Sequence, residues 1–414
     1  MRDQWVMHSA SVGLGRRLAA IAVTLLIATA WAPAATSATP HAGPPGARHD
    51  VITWGASADR MGDAVPDHSY RLVVHTSVGG DGLRIRLSNA FGDGPVTFDT
   101  VYAGLRREGA ELVRGSNRRL TFGGARSVTV PAGDTTYSDP LSGRLPAETT
   151  LVVSVHTAQA AGPATGHSMA MQTSYAATGD HASEEGADNW TERIGSWFYL
   201  DSVTVRTGVE TGAVVALGDS ITDGWQSTTD LDRRWPDYLS RRLQTADGGA
   251  VKGVANEGIS GNKTLADGAG QSALNRLERD VLSHPGVRTV FLFEGVNDIK
   301  AHTGVTAQDM IEGYHTIAER AHAAGKCVVG ATIAPFKGWS EWDPTAESVR
   351  LQVNEFIRDS GEFDAVTDFD RTLRSPYDHE RILPFFDGGD HLHPNDKGMQ
   401  AMADSVNVKA LNAC

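Results

Sequence analysis

The chain of 414 residues contains only two cysteines, Cys327 and Cys414. So small a supply excludes a scaffold built on disulfides, and the lack of any Cys-x-x-Cys pair argues against a thiolate zinc site. Basic residues are also in deficit: 37 Lys and Arg stand against 50 Asp and Glu, a formal charge of −13. A phosphate-backbone partner wants a basic face, so nucleic acid is not expected as a ligand. Internal repeats and low-complexity tracts are missing. Beyond the first forty residues, no stretch is apolar and long enough to span a bilayer. What remains is the composition of a globular protein, 40% hydrophobic and 21% charged, at a length that suggests two domains.

The apolar exception is LAAIAVTLLIATAWA, Leu18 to Ala32. Arg16 and Arg17 precede it and small residues follow to Ala38, the pattern of a secretory signal peptide over residues 1–38. The paired arginines leave the choice between general and twin-arginine export open. Removal takes away three arginines and one aspartate, a net +2, so the −13 of the whole chain becomes −15. The expectation is a secreted, acidic protein without a stable membrane anchor, and a monomer.

Two periodicities follow. Over residues 48–207, apolar and polar residues alternate in short runs: Leu83, Ile85 and Leu87 around Arg84 and Arg86, then Val128 and Val130, then Leu151, Val153 and Val155. Gly-rich turns separate them, which predicts an antiparallel β-sandwich. Residues 179–190, GDHASEEGADNW, read as a polar surface loop. From about 210 to 414 the runs become continuous, at 213–217, 251–255, 287–293, 327–334 and 364–367. Helical segments lie between them. One opens on a capping box at Thr306 and Asp309, presents Met310, Ile311, Tyr314, Ile317 and Ala321 on one face, and stops at Gly325. Such alternation predicts a parallel sheet with helices on both faces, a three-layer α/β/α fold. The boundary is expected in residues 205–213.

Ligands of such sheets bind outside the carboxyl ends of the strands. Four polar stretches are placed there: GDSI with Ser220, NEGISGNK with Asn256, Gly258 and Gly261, GVND with Asn297, and DGGDHLHPND near the C terminus. Singly each could be a turn or a strand-end cap; in this order they mark a site. A serine hydroxyl needs an adjacent base. His393 can serve, with Asp390 three residues earlier to fix its tautomer. His391 competes as the base and Asp387 as its orienting carboxylate, although the spacing and Pro394 favour His393.

These four blocks resemble the signatures of the SGNH hydrolases, the GDSL-type esterases and lipases, over roughly residues 210–411. The resemblance implies a flavodoxin-like hydrolase domain with Ser220 as nucleophile, an Asp390/His393 pair and no cofactor or metal. It further implies an oxyanion hole formed by Ser220 N–H, Gly258 N–H and the Asn297 side chain. Ile221 replaces a leucine of the family pattern, a conservative change. DGWQST and RRWPDYL, after the nucleophile, are also similar to secreted bacterial members.

The reading that follows is a secreted serine esterase acting on small-molecule or polysaccharide esters, with short acyl groups on carbohydrate favoured. Trp225, Phe336 and Trp339 are expected to line the substrate, with Phe385 and Phe386 nearby. One alternative is a lipase or phospholipase acting on long acyl chains. Another is a secreted glycan-binding protein whose second domain is inert. Trp54, Trp190, Trp197 and Phe198 could form a sugar platform, but core is the better expectation. A metallophosphoesterase built on Asp219, Asp223 and HLH lacks the Asp-x-His such enzymes present. Finally, Cys327 opens a strand at the amino edge of the sheet, and the last helix should return Cys414 to that edge, so the two are expected to form a disulfide.

Overall fold

The alternating segments of the first half pair antiparallel, with one face of each strand turned to the core. In the computed structural model, which describes residues 47–246 and 249–412, one sheet runs Arg48–Gly55, Leu200–Gly208, Gly80–Ser88, Leu141–Leu145 in spatial order. The other runs Glu192–Ile194, Ser174–Thr178, His68–Thr76, Thr149–Gln159, Val96–Glu108, Glu111–Leu112. Leu83, Ile85 and Leu87 join Val203 and Val205 in an apolar cluster with Leu72, Val74, Val153 and Val155 of the second sheet. A third, three-stranded sheet contains Asp59–Asp63, Pro163–His167 and Trp197–Phe198. The expected signal peptide and Cys414 lie outside the described residues.

Residues 179–190 form a loop that is largely exposed, as their composition suggests, but two of its residues anchor it. Trp190 and Ala182 are buried, and Trp190 packs with Val73, Val152 and Tyr175 on the outer face of the second sheet. The fully buried Arg71 lies 4.1 Å over the Trp190 ring and donates to the carbonyls of Ala110 and Gly186. One tryptophan carries the burial that eleven mostly polar neighbours conceal. Trp54 and Trp197 are likewise buried and pack edge to face, 4.9 Å apart, so they are core and not a sugar platform.

The second half pairs in parallel. Its strands lie in the order Val251–Gly258, Gly212–Gly218, Val287–Phe293, Cys327–Ala331, Ala365–Thr367, the 2-1-3-4-5 order of doubly wound sheets. Alternate residues of Gly212–Gly218 divide between two clusters. Ala213, Val215 and Leu217 pack with Leu277, Met310, Tyr314, Ile317, Val353 and Ile357. Val214 and Ala216 pack with Trp235, Leu239, Phe369, Met399 and Met402. Helices thus cover both faces. The helix Ala307–Ala323 has the capping box at Thr306 and Asp309.

Register places the site. Gly218 pairs with Gly258 on one side and with Phe293 on the other, so the loops that begin at 219, 259 and 294 leave the sheet together. The halves also share a core. Val51 and Ile52 belong to the cluster that holds Ala213, Val215 and Ala255, and Ile52 N–H donates to Pro285 O at 2.9 Å. Arg86, which alternation would leave in solvent, is buried, pairs with Asp201 at 2.8 Å and donates to Ser283. Among the described residues, no helix is long and apolar enough to cross a membrane.

Candidate active site

Ser220 is the first residue of a four-residue helix, Ser220–Asp223, that follows the central strand. Asp219 caps it, accepting from Ile221 N–H at 2.9 Å, and burial raises the Asp219 carboxyl above its usual range. The Ser220 hydroxyl lies 2.8 Å from His393 Nε2. His393 Nδ1 lies 2.7 Å from Asp390 Oδ2. The other oxygen, Asp390 Oδ1, accepts the backbone N–H groups of Leu392 and His393 at 3.0 and 2.9 Å. That turn is why a separation of three brings the two side chains together.

With a carboxylate at Nδ1, the proton of neutral His393 sits there and the Nε2 lone pair faces the serine. Burial lowers the His393 pKa, and Asp390 offsets this only in part. Burial would raise Asp390, but its hydrogen bonds from His393 and Leu392 outweigh that and hold it below the usual carboxylate range. Near neutral pH the pair is therefore an imidazole beside a carboxylate, the state a general base requires. His391 takes no part: its Nδ1 lies 2.6 Å from Asp387 and its ring is half exposed.

The donors around Ser220 correct one expectation. Gly258 is not free to bind an oxyanion, because its N–H donates to Asn256 Oδ1 at 3.0 Å. It is glycine for another reason: a Cβ there would stand 2.3 Å from Asp223 N, where the short helix crosses the end of the strand. Gly261, three residues on, lines the pocket with Ser220 and Asn297 at φ +81°. Neither Gly261 N–H nor Ser220 N–H meets an acceptor among the described residues. Asn297 Nδ2 donates to Asn262 O at 2.8 Å and, at the longer distance of 3.5 Å, to Asp219 Oδ2, contacts that hold the amide on the pocket wall beside Ser220.

The pocket over Ser220 has a volume of about 380 Å³ and is walled by Met169, Trp225, Ser260, Lys300, Trp339 and Leu392. Trp225 and Trp339 both stand edge to face with the His393 ring, at 6.5 and 5.8 Å. Lys300 pairs with Glu341 at 2.9 Å. Phe336 does not line the pocket: it is fully buried in the core. Phe385 and Phe386 pack on each other and are also absent from the pocket wall.

Three contributors escaped the sequence reading. Arg276, fully buried, donates to Gly218 O, Glu257 O and Asn262 Oδ1 at 3.0, 2.6 and 3.0 Å and so ties two strand ends to the oxyanion loop. Met169 and His167 come from the sandwich half. No local pattern marks any of them, although a lone arginine among apolar residues in SALNRL is a weak signal. Asp223 is bonded to His167 at 2.9 Å and to Ser260 N–H at 3.0 Å. Among the described residues, one group has metal-ligand spacing, Asp99, His156 and Asp180, and it lies in the sandwich. There both nitrogens of His156 already face carboxylates, Asp99 at 2.7 Å and Asp67 at 3.2 Å.

Residues 216–401 match the model of the GDSL-like lipase/acylhydrolase family. Solved structures similar to this chain include a carbohydrate acetylesterase family member from Sinorhizobium meliloti, 17% identical, covering 49% of this chain and 99% of its own, with a TM-score of 0.40. A GDSL-like lipase from Bacteroides thetaiotaomicron is 18% identical, covering 49% of this chain and 89% of its own, TM-score 0.38. The aryl esterase of M. smegmatis is 18% identical, covering 47% and 95%, TM-score 0.38. No curated protein matches the chain.

Proposed function

We propose, on the premise that the chain belongs to the GDSL-like lipase/acylhydrolase family through residues 216–401 and is a carboxylic ester hydrolase, that it is a secreted serine esterase using Ser220, His393 and Asp390. The observation that carries this is the continuous hydrogen-bonded line from Ser220 Oγ through His393 to Asp390, at 2.8 and 2.7 Å. In this reading Ser220 Oγ attacks the ester carbonyl while its proton passes to His393 Nε2. Charge collects on the former carbonyl oxygen, where Ser220 N–H, Gly261 N–H and Asn297 Nδ2 stabilise it. His393 returns the proton to the leaving alcohol as its C–O bond breaks. Water, activated by the same imidazole, then hydrolyses the acyl-serine.

The acyl group is short and the alcohol a sugar. A cleft of about 380 Å³ lies near the lower end of ligand-pocket sizes, and Trp225 and Trp339 in its lining offer aromatic surface on which a pyranose ring can stack. Export along the route suggested by the apolar N-terminal run would bring the enzyme to such esters outside the cell. The test is a panel of p-nitrophenyl esters from two to sixteen carbons, beside acetylated xylan and an emulsified triglyceride. The expected result is a rate that falls steeply beyond four carbons, with acetate released from the polysaccharide. A maximum at eight or more carbons, rising at the emulsion surface, would replace this reading with a lipase. A folded protein that a serine-directed organophosphonate does not label would point to a non-catalytic glycan binder.

A further inference from the structure

We infer that the N-terminal sandwich completes the esterase site: the His167–Asp223 ion pair holds the loop that presents Gly261, and Met169 supplies one wall of the acyl pocket. The inference rests on the esterase reading above.

His167 closes the strand Pro163–His167 and is buried. Both of its ring nitrogens face acceptors only. Nδ1 is 2.9 Å from Ser57 O, and Nε2 is 2.9 Å from Asp223 Oδ1 and 3.0 Å from Met169 O. Each nitrogen must donate, so the ring is an imidazolium. Burial opposes that charge, but Asp223 outweighs it and holds the pKa at about 9. Two other buried cations near this end of the sandwich are engaged elsewhere: Arg234 with Asp237 at 2.8 Å, and Arg276 with Gly218 O, Glu257 O and the Ser57 hydroxyl. His167 is therefore the positive partner in contact with Asp223.

Asp223 has two tasks. It ends the short helix that Ser220 begins, and its Oδ2 accepts Ser260 N–H at 3.0 Å. Ser260 precedes Gly261, and its hydroxyl stands 3.2 Å from Met169 Sδ. One buried ion pair from the sandwich thus fixes the nucleophile helix and the candidate oxyanion loop against each other. Removing one member of such a pair leaves an uncompensated buried charge. The neighbouring loop then relaxes, and small displacements of an oxyanion donor are costly in rate. His167 and Asp223 are positioning residues; Met169 touches the pocket itself.

The test compares wild-type enzyme with His167→Gln, Asp223→Asn and Met169→Ala. It measures kcat and KM on p-nitrophenyl acetate and hexanoate, affinity for a trifluoromethyl ketone, and stoichiometric organophosphonate labelling at Ser220. The first two variants should lose about 10–10²-fold in kcat, less than deletion of an oxyanion donor. KM should change little, ketone affinity should fall in step with kcat/KM, and Ser220 should still label to completion. Met169→Ala, half-buried on the pocket wall, removes no charge and should raise the hexanoate-to-acetate ratio several-fold. Wild-type kcat and ketone affinity in the two ion-pair variants, with an unchanged acyl ratio in Met169→Ala, overturn the proposal and leave the esterase reading standing. Wild-type protein that neither hydrolyses esters nor labels at Ser220 overturns both.

Discussion

His391 and His393, two residues apart, face different carboxylates: half-exposed His391 is bonded to Asp387, and buried His393 joins half-buried Asp390 to Ser220. The Leu392 side chain between them is buried, and His391 adopts φ +69°, a backbone setting that separates the two rings. Replacing His393 or Ser220 with Ala is expected to lower kcat by about 10⁴–10⁶, with the double variant little worse than either single one. His391→Ala should stay within a few-fold of wild type. Steady-state kinetics on a short ester decide this, and an inactive His391→Ala beside an active His393→Ala would reverse the assignment.

Gly258 and Asn297 should separate by readout. Gly258→Ala places a methyl 2.3 Å from Asp223 N and should lower the thermal midpoint, because backbone must move. Asn297→Ala leaves the fold in place and should cost about 10²–10³ in kcat. Thermal unfolding run beside kinetics distinguishes the two, and an Asn297→Ala variant at wild-type rate would remove that side chain from the hole.

Catalysis requires His393 neutral, so activity is present above its pKa and is lost as pH falls through it. Burial holds that pKa below the ordinary imidazole value of 6.5. The acid limb of kcat/KM should therefore lie below 6.5 and should disappear, with the activity, in His393→Ala. A limb above 7 would contradict an imidazole destabilised by burial.

Chelation should leave ester hydrolysis unchanged, since the proposed chemistry runs through Ser220 and His393. Loss of rate in EDTA, restored by a divalent ion, would return the metallophosphoesterase reading to contention.

A Cys327–Cys414 bridge remains the expectation from topology. Cys327 begins its strand opposite Thr289, and Thr289 Oγ1 donates to Leu411 O at 2.7 Å, which brings the chain beside Cys327 three residues before its end. Intact mass after alkylation without reductant should register no added label; two added labels would exclude the bridge.

The parallel strands and the Ser220–His393–Asp390 line were legible because each rests on local order: continuous apolar runs, a turn at a strand end, a spacing of three. Gly258 was misread for the same reason. Two glycines share one short loop, and sequence does not record that Asn256 has already claimed the N–H of one of them. Phe336 was placed at the mouth because it follows a strand, yet its ring turns inward to the core. Arg276, His167 and Met169 were invisible because their partners lie on strands and loops far along the chain. The anchoring of the loop 179–190 through Trp190 was hidden by a composition in which that residue alone is large and apolar.

The guanidinium of Arg276 reaches the Ser57 hydroxyl at 2.7 Å while it holds Gly218 O and Glu257 O. A single cation thereby cross-links the first strand region of the chain to the ends of two strands in the middle of it. The enzyme is in this respect not modular. A recombinant segment starting near residue 210 would keep every residue of the catalytic line but lose one partner of its central arginine, Ser57, and the apolar cover from Val51 and Ile52. Grafting the hydrolase half onto a foreign sandwich would meet the same difficulty unless the graft carried residues equivalent to Ser57, His167 and Met169. Substitutions at those three positions should therefore be correlated with changes in the loop 259–262 wherever this architecture is varied.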